Sequence, residues 1–170
     1  MKRALLALFV LPLSATLLLL GGQTSAPLRA QLVGTWRLAS AMQRLADGTV
    51  RPDPQTGQKG VGYLIYTGAG RACVVVANPD RPRWKTAQAP TETELRSAFD
   101  GLVACAGTLQ VNEADRYGVH RIEVDRVPNL LGADRKRFCT LSGNQLVHRA
   151  APPLPPDVQE WAIVWERVEE

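Results

Sequence analysis

The chain has 170 residues, 45% of them apolar, with 20 Lys and Arg against 16 Asp and Glu and a formal charge of +4 at neutral pH. The charges form no long run of either sign, which argues against nucleic acid as a partner. The densest basic stretch, Arg135-Lys136-Arg137, reads as the solvated end of a strand rather than a phosphate site.

Met1-Lys2-Arg3 precedes an uncharged apolar run from Ala4 to Leu20 and then Gly21-Gly22-Gln23-Thr24-Ser25-Ala26. A basic start, an apolar middle and a small-residue site are the order of a secretory signal, with cleavage expected after Ala26. An uncleaved anchor is the alternative, since the run approaches the ~20 residues that span a bilayer; Pro12, Ser14 and the Thr24-Ser25-Ala26 site favour cleavage. The expectation is a periplasmic or secreted protein with no stable membrane insertion once the segment is removed. Residues 27–170 then form one domain, with its core at about 32–168 and 18 basic against 16 acidic side chains.

From Leu32 onward, short runs rich in Val, Ile, Trp, Tyr and Thr alternate with Gly, Asp, Asn and Pro, the pattern of an all-β domain with closely spaced strands. Residues 32–45 form the first strand, with Trp36, Leu38 and Met42 on one face, and stop at the turn pair Asp47-Gly48. After a Pro- and Gly-rich stretch, 61–67 and 71–77 flank Gly68-Ala69-Gly70 as a hairpin. A polar loop, 78–90, carries Trp84 between Arg83 and Lys85 and could act as a flap over a barrel mouth. It leads into Thr91-Glu92-Thr93-Glu94, a capping box, and Leu95, Ala98, Phe99 and Leu102 recur at helical spacing. Strands resume over 103–112, 117–126, 135–142, 145–150 and 160–168, with the proline-rich loop 151–156 before the last. About eight strands and one short helix predict an antiparallel up-and-down β-barrel, because closure removes the exposed edges of an open sheet.

Period-two alternation places His120 with Ile122 and Val124, and His148 with Leu146, while Arg121, Glu123 and Asp125 point the other way. If the apolar faces line the barrel, both histidines point inward, as hydrogen-bonded core residues, ligand contacts or acid-base groups. Tyr63 and Tyr66 lie on opposite faces, so at most one is inside. Cys73, Cys105 and Cys139 are odd in number, so at most one internal bridge can form. No His-x-x-x-His or Cys-x-x-Cys pair supplies a metal site, no Gly-x-Ser-x-Gly elbow is present, and Gly68-Ala69-Gly70 lacks the helix that a phosphate loop requires. No cofactor is implied.

Leu32-Val33-Gly34-Thr35-Trp36-Arg37-Leu38, Gly62-Tyr63-Leu64-Ile65-Tyr66-Thr67, Gly70-Arg71, Ala106-Gly107-Thr108 and Trp165-Glu166-Arg167-Val168 occur in that order. The set resembles the bacterial and fungal lipocalin-like domain family of the calycin superfamily, from about Leu32 to Val168. The resemblance implies structural roles for Gly34, Trp36 and Arg167, with the indole plugging the closed end and the guanidinium packed across it. Fatty-acid-binding relatives hold a carboxylate with an arginine and a tyrosine two apart on the last strand; Ile163 and Trp165 stand at the corresponding places here, which favours a neutral or aromatic ligand. Trp161, Ile163 and Trp165 form an apolar stripe. The resulting expectation is a small apolar molecule in the central cavity, lined by Trp165, His120, His148 and one of Tyr63 or Tyr66. Two alternatives stand beside it: a cofactor-free isomerase or cyclase in which a histidine moves protons, and a structural or stress-related envelope protein without ligand.

Overall fold

The computed structural model describes residues 26–169, so the expected signal segment up to Ser25 lies outside the described residues. A five-residue helix, α1 (Leu28–Leu32), leads into β1 (Gly34–Leu45), β2 (Val50–Pro52), β3 (Val61–Tyr66) and β4 (Arg71–Ala77). After α2 (Glu92–Asp100) follow β5 (Leu102–Asn112), β6 (Tyr117–Asp125), β7 (Asp134–Ser142), β8 (Gln145–Ala150) and β9 (Val158–Arg167). Apart from β2, each strand pairs antiparallel with the next, and β9 returns to β1, so eight strands close into an up-and-down barrel. The short β2 extends the edge of β1 beyond the end of β3, pairing Met42 with Pro52 and Arg44 with Val50. Among the described residues no helix is long and apolar enough to cross a membrane.

One end of the barrel is shut by a stack of large apolar groups. Trp36 is fully buried and pairs across the sheet with Leu64, also fully buried. Its indole N–H donates to Leu32 O at 2.8 Å, and α1 tucks Leu28 and Leu32 beneath it. The backbone amides of Leu28 and Arg29 donate to the Glu113 carboxylate, which satisfies free donors at the start of α1. The Arg167 guanidinium lies 4.0 Å from the Trp36 ring centroid and donates to the carbonyls of Val33, at 2.9 Å, and Gln31. Gly34 is where that guanidinium crosses the first strand: a Cβ there would sit 2.7 Å from its Nη1. A side chain there would have to push the guanidinium aside, and the φ of +133° is one that residues with a Cβ rarely adopt.

Two β-bulges change which side chains point inward. In β1 the pairing with β9 skips from Leu38–Trp165 to Ser40–Val164, leaving Ala39 as an extra residue. The phase therefore flips. Ala41 and Gln43 are buried, whereas Met42, expected on the Trp36 face, points outward. In β6 the pairing with β5 skips between Ala106–Val124 and Gly107–Ile122. Val124, expected inside, is 63% exposed, while the Asp125 side chain, expected outside, is almost fully buried. Gly107 permits this bulge, because a Cβ there would lie 1.9 Å from Arg121 O.

The helix α2 carries its expected capping box: the Glu94 amide donates to Thr91 Oγ1, and the Thr91 amide donates to the Glu94 carboxylate. Its apolar positions do not enter the core. Leu95 and Phe99 are half-exposed, and the helix is tied at its C-terminal end by Arg81 and Arg126, which donate to the carbonyls of Ala98 and Phe99. The three cysteines are free thiols. Cys73 alternates with the inward Ala72 and Val74 and faces outward, whereas Cys105 and Cys139 are buried.

Candidate functional site

Above the Trp36 plug, the alternation of β3, β6 and β8 sends Tyr66, His120 and His148 into the barrel, all three buried. Tyr63, three residues before Tyr66 on β3, must face the opposite way and is 51% exposed. It has no place in the interior. The Tyr66 hydroxyl lies 2.5 Å from His120 Nε2 and 3.5 Å from His148 Nε2. A phenol can donate to one imidazole and accept from the other, so a single hydroxyl bridges both rings. His148 packs edge-on against Trp165, with centroids 6.3 Å apart.

Burial sets the charge state of this cluster. Desolvation, reinforced by the positive charges of Arg137 and Arg135, pushes the His120 pKa down to about 3. Desolvation and the neighbouring His120 and Arg137 hold His148 well below the usual imidazole range. Burial also raises the Tyr66 phenol far above its ordinary value and lifts the Cys139 thiol to about 11. At neutral pH these groups are therefore uncharged, joined by hydrogen bonds rather than by ion pairs.

Beside the two imidazoles lies a cavity of about 70 Å³. Leu38, Ala41, Val74, Val76, Val103 and Ile163 form its aliphatic wall, with Trp161, Trp165 and Cys105 completing the apolar surface. Its polar surface comes from His120 and His148 and, towards the open end, from Asp53, Thr56, Arg135 and Arg137. Tyr66 stands behind the histidines and does not reach the space itself. The loop after β2 folds down over the open end, burying Asp53 and Thr56. The Asp53 carboxylate accepts from the amides of Gln55 and Thr56 and from Gln43 Nε2 at 3.1 Å. Desolvation nevertheless raises its pKa, opposed by those hydrogen bonds and by Arg51. A space of this size holds a handful of waters and is well below the ~300–1,000 Å³ of ordinary ligand pockets. It suits a group of a few heavy atoms or the buried end of a longer molecule.

Arg135 and Arg137 correct the expectation of a solvated basic strand end. Counting back by twos from the buried Cys139 puts both on the inner face of β7, opposite His120 and Gly118 of β6, and only Lys136 points out. There its ammonium lies 3.7 Å from the Tyr117 ring centroid. Arg135 approaches Asp125 at 3.6 Å, a partner that the β6 bulge turned inward. The run of three basic residues concealed a period-two signal that Cys139 could have anchored. Gln43 and Asp125 gave no such signal, because each lies beyond a bulge.

Trp84 and the loop around it do not cover this cavity. Trp84 lines a separate outer groove with Pro79, Arg81 and Pro82. A second outer groove, of about 340 Å³, runs along Ala150–Pro155 and shares Arg135, Arg137 and Trp161 with the cavity. These three side chains thus stand between the interior and the surface.

A family model described as a lipocalin-like domain matches residues 33–168, the span of the barrel from the start of β1 to the end of β9. A comparison with curated proteins finds no match.

Proposed function

Because the chain belongs to the lipocalin-like domain family, we propose that it is a binding protein whose central cavity takes up a small, mostly apolar molecule. The observation that carries this reading is the cavity itself: an aliphatic and indole-lined space with a few polar groups at its edge, beside two neutral imidazoles. Apolar lining with sparse, placed polar groups is how small-molecule sites combine affinity with orientation. The cavity volume restricts the fully enclosed part to a few heavy atoms, and the wall shared with the Ala150–Pro155 groove offers the direction in which a longer ligand would extend.

Export is part of the proposal and rests on the N-terminal pattern from Met1 to Ala26. Recovery of the native protein from its host's extracytoplasmic fraction, with Pro27 as its first residue, is the expected outcome; a full-length chain in the cytoplasm would refute it. Native mass spectrometry of that material, before and after organic extraction, tests binding. An extractable adduct is expected, and a bare protein mass in both spectra counts against a tightly held ligand.

Proton-transfer chemistry is the second reading, favoured by the shared Tyr66 hydroxyl between His120 and His148. It has weaker support, because an imidazole with a pKa near 3 is a poor proton acceptor at neutral pH. Unchanged turnover of a discovered substrate by the His120→Gln/His148→Gln variant would eliminate it.

A further inference from the structure

Three groups on the cavity wall offer hydrogen-bond donors that the protein does not match. The indole N–H groups of Trp161 and Trp165 are buried and have no acceptor among the described residues. Among the described residues the Arg137 guanidinium donates to a single acceptor, the carbonyl of Lys136 at 3.0 Å. Among the described residues no carboxylate lies within 4.0 Å of it; Arg135 has Asp125, and the other arginines in ion pairs reach outward. A guanidinium carries five N–H donors and stays charged, so most of its capacity faces the cavity and its rim. The buried oxygen acceptors Asp53 and Tyr66 do not offset this surplus. Asp53 is occupied by Gln43 and two backbone amides, and the Tyr66 oxygen is held between two imidazoles.

Leaving buried donors without acceptors costs about 1–3 kcal/mol for a neutral group and more for a charged one. The rim, where Arg137 and Trp161 stand, is therefore complementary to a ligand that brings acceptors and negative charge, whereas the Trp165 N–H lies deeper on β9 and stays unmatched. The donors are also separated in depth. Trp161 and Trp165 are four residues apart on the inner face of β9, about 13 Å at the usual strand rise. The Arg137 guanidinium is 5.7 Å from the Trp161 ring centroid, at the end shared with the outer groove.

We propose that the cavity is specific for an apolar organic carboxylate, its anionic head held at the rim by Arg137 and the Trp161 indole N–H and its apolar end directed inward toward Ile163 and Trp165. A planar guanidinium fork matches a carboxylate in a bidentate manner. The position differs from the last-strand anchor that the family resemblance suggested looking for, where Ile163 and Trp165 stand. The cation is supplied by β7 instead, which is why a ligand without charge is a poorer match than the last strand alone implies.

The inference rests on the cavity being the binding site, so the test separates the two claims. Hexanoate and 1-hexanol, matched in chain length and differing in the head group, are titrated into the full mature chain by calorimetry, with the Trp161 and Trp165 indole N–H resonances followed by NMR. The expected result is hexanoate binding at least about tenfold more tightly than hexanol, a gap of about 1.4 kcal/mol, with the Trp161 N–H resonance moving. In Arg137→Met the preference is lost because hexanoate weakens by far more than hexanol does, and Arg137→Lys keeps part of it. Equal affinity for acid and alcohol in the wild type overturns the carboxylate site and leaves the cavity reading standing. Binding of neither overturns both. Equal loss of both ligands in Arg137→Met assigns Arg137 a structural role and also overturns the proposal.

Discussion

The barrel contains two tryptophan–arginine pairs, one at each end, and they are built to opposite rules. At the closed end Arg167 stacks 4.0 Å over Trp36, donates to two backbone carbonyls, and the indole N–H has its own acceptor in Leu32 O. At the open end Arg137 stands 5.7 Å from Trp161, donates to one carbonyl, and the indole N–H has no acceptor among the described residues. The residue types are the same; the difference is whether their polar atoms are satisfied from within. A satisfied pair adds to stability, whereas an unsatisfied one subtracts from it and has its capacity left over for something that binds.

The two indoles should differ most. Trp36→Ala empties a fully buried site and removes the support of α1, and should cost about 3–5 kcal/mol in chemical denaturation. Trp161→Ala, at the partly buried rim, should cost no more than about half as much. Equal losses would abolish the distinction between plug and rim.

The arginines should then differ in sign. Arg167→Met leaves the Val33 and Gln31 carbonyls without their donor and should destabilise by about 2 kcal/mol. Arg137→Met removes a cation from an interior where no carboxylate meets it, and should leave stability unchanged or raise it by about 1 kcal/mol. Destabilisation by both, to the same extent, would show that Arg137 is a structural element like its counterpart.

The last expectation concerns pH. His120 and His148 are held neutral in the folded state, with the His120 pKa lowered from 6.5 to about 3. The unfolded chain protonates both as pH falls below about 6.5 while the folded barrel does not. Their contribution is therefore complete above that value and is lost progressively as pH falls below it, for His120 down to about pH 3, at about 1.4 kcal/mol per pH unit for each histidine. Denaturation curves between pH 7 and 4.5 should show this slope, and His120→Gln/His148→Gln should flatten it. The raised pKa of Asp53 acts in the opposite direction within the carboxylate range, so the cleanest reading lies above pH 5.

Much of the molecule could be read along the chain because its signals are local. Alternation of period two placed His120, His148 and Trp165 inside and set Tyr63 against Tyr66. The capping box located α2 from four adjacent residues, and the plugged end at Gly34, Trp36 and Arg167 was implied by the family resemblance that a set of motifs in fixed order carries. Tertiary structure alone decided the site. Two bulges, each one extra residue opposite a neighbouring strand, reversed the alternation and carried Gln43 and Asp125 inward and Met42 and Val124 outward. The space left within the closed barrel depended on how Trp161, Trp165, Ile163 and the Asp53 loop pack around it. Whether Arg137 meets a carboxylate is likewise a matter of which strands face one another across the interior. Sequence specifies the order of donors and acceptors along each strand, but only the closed sheet determines which of them are brought face to face and which remain unmatched.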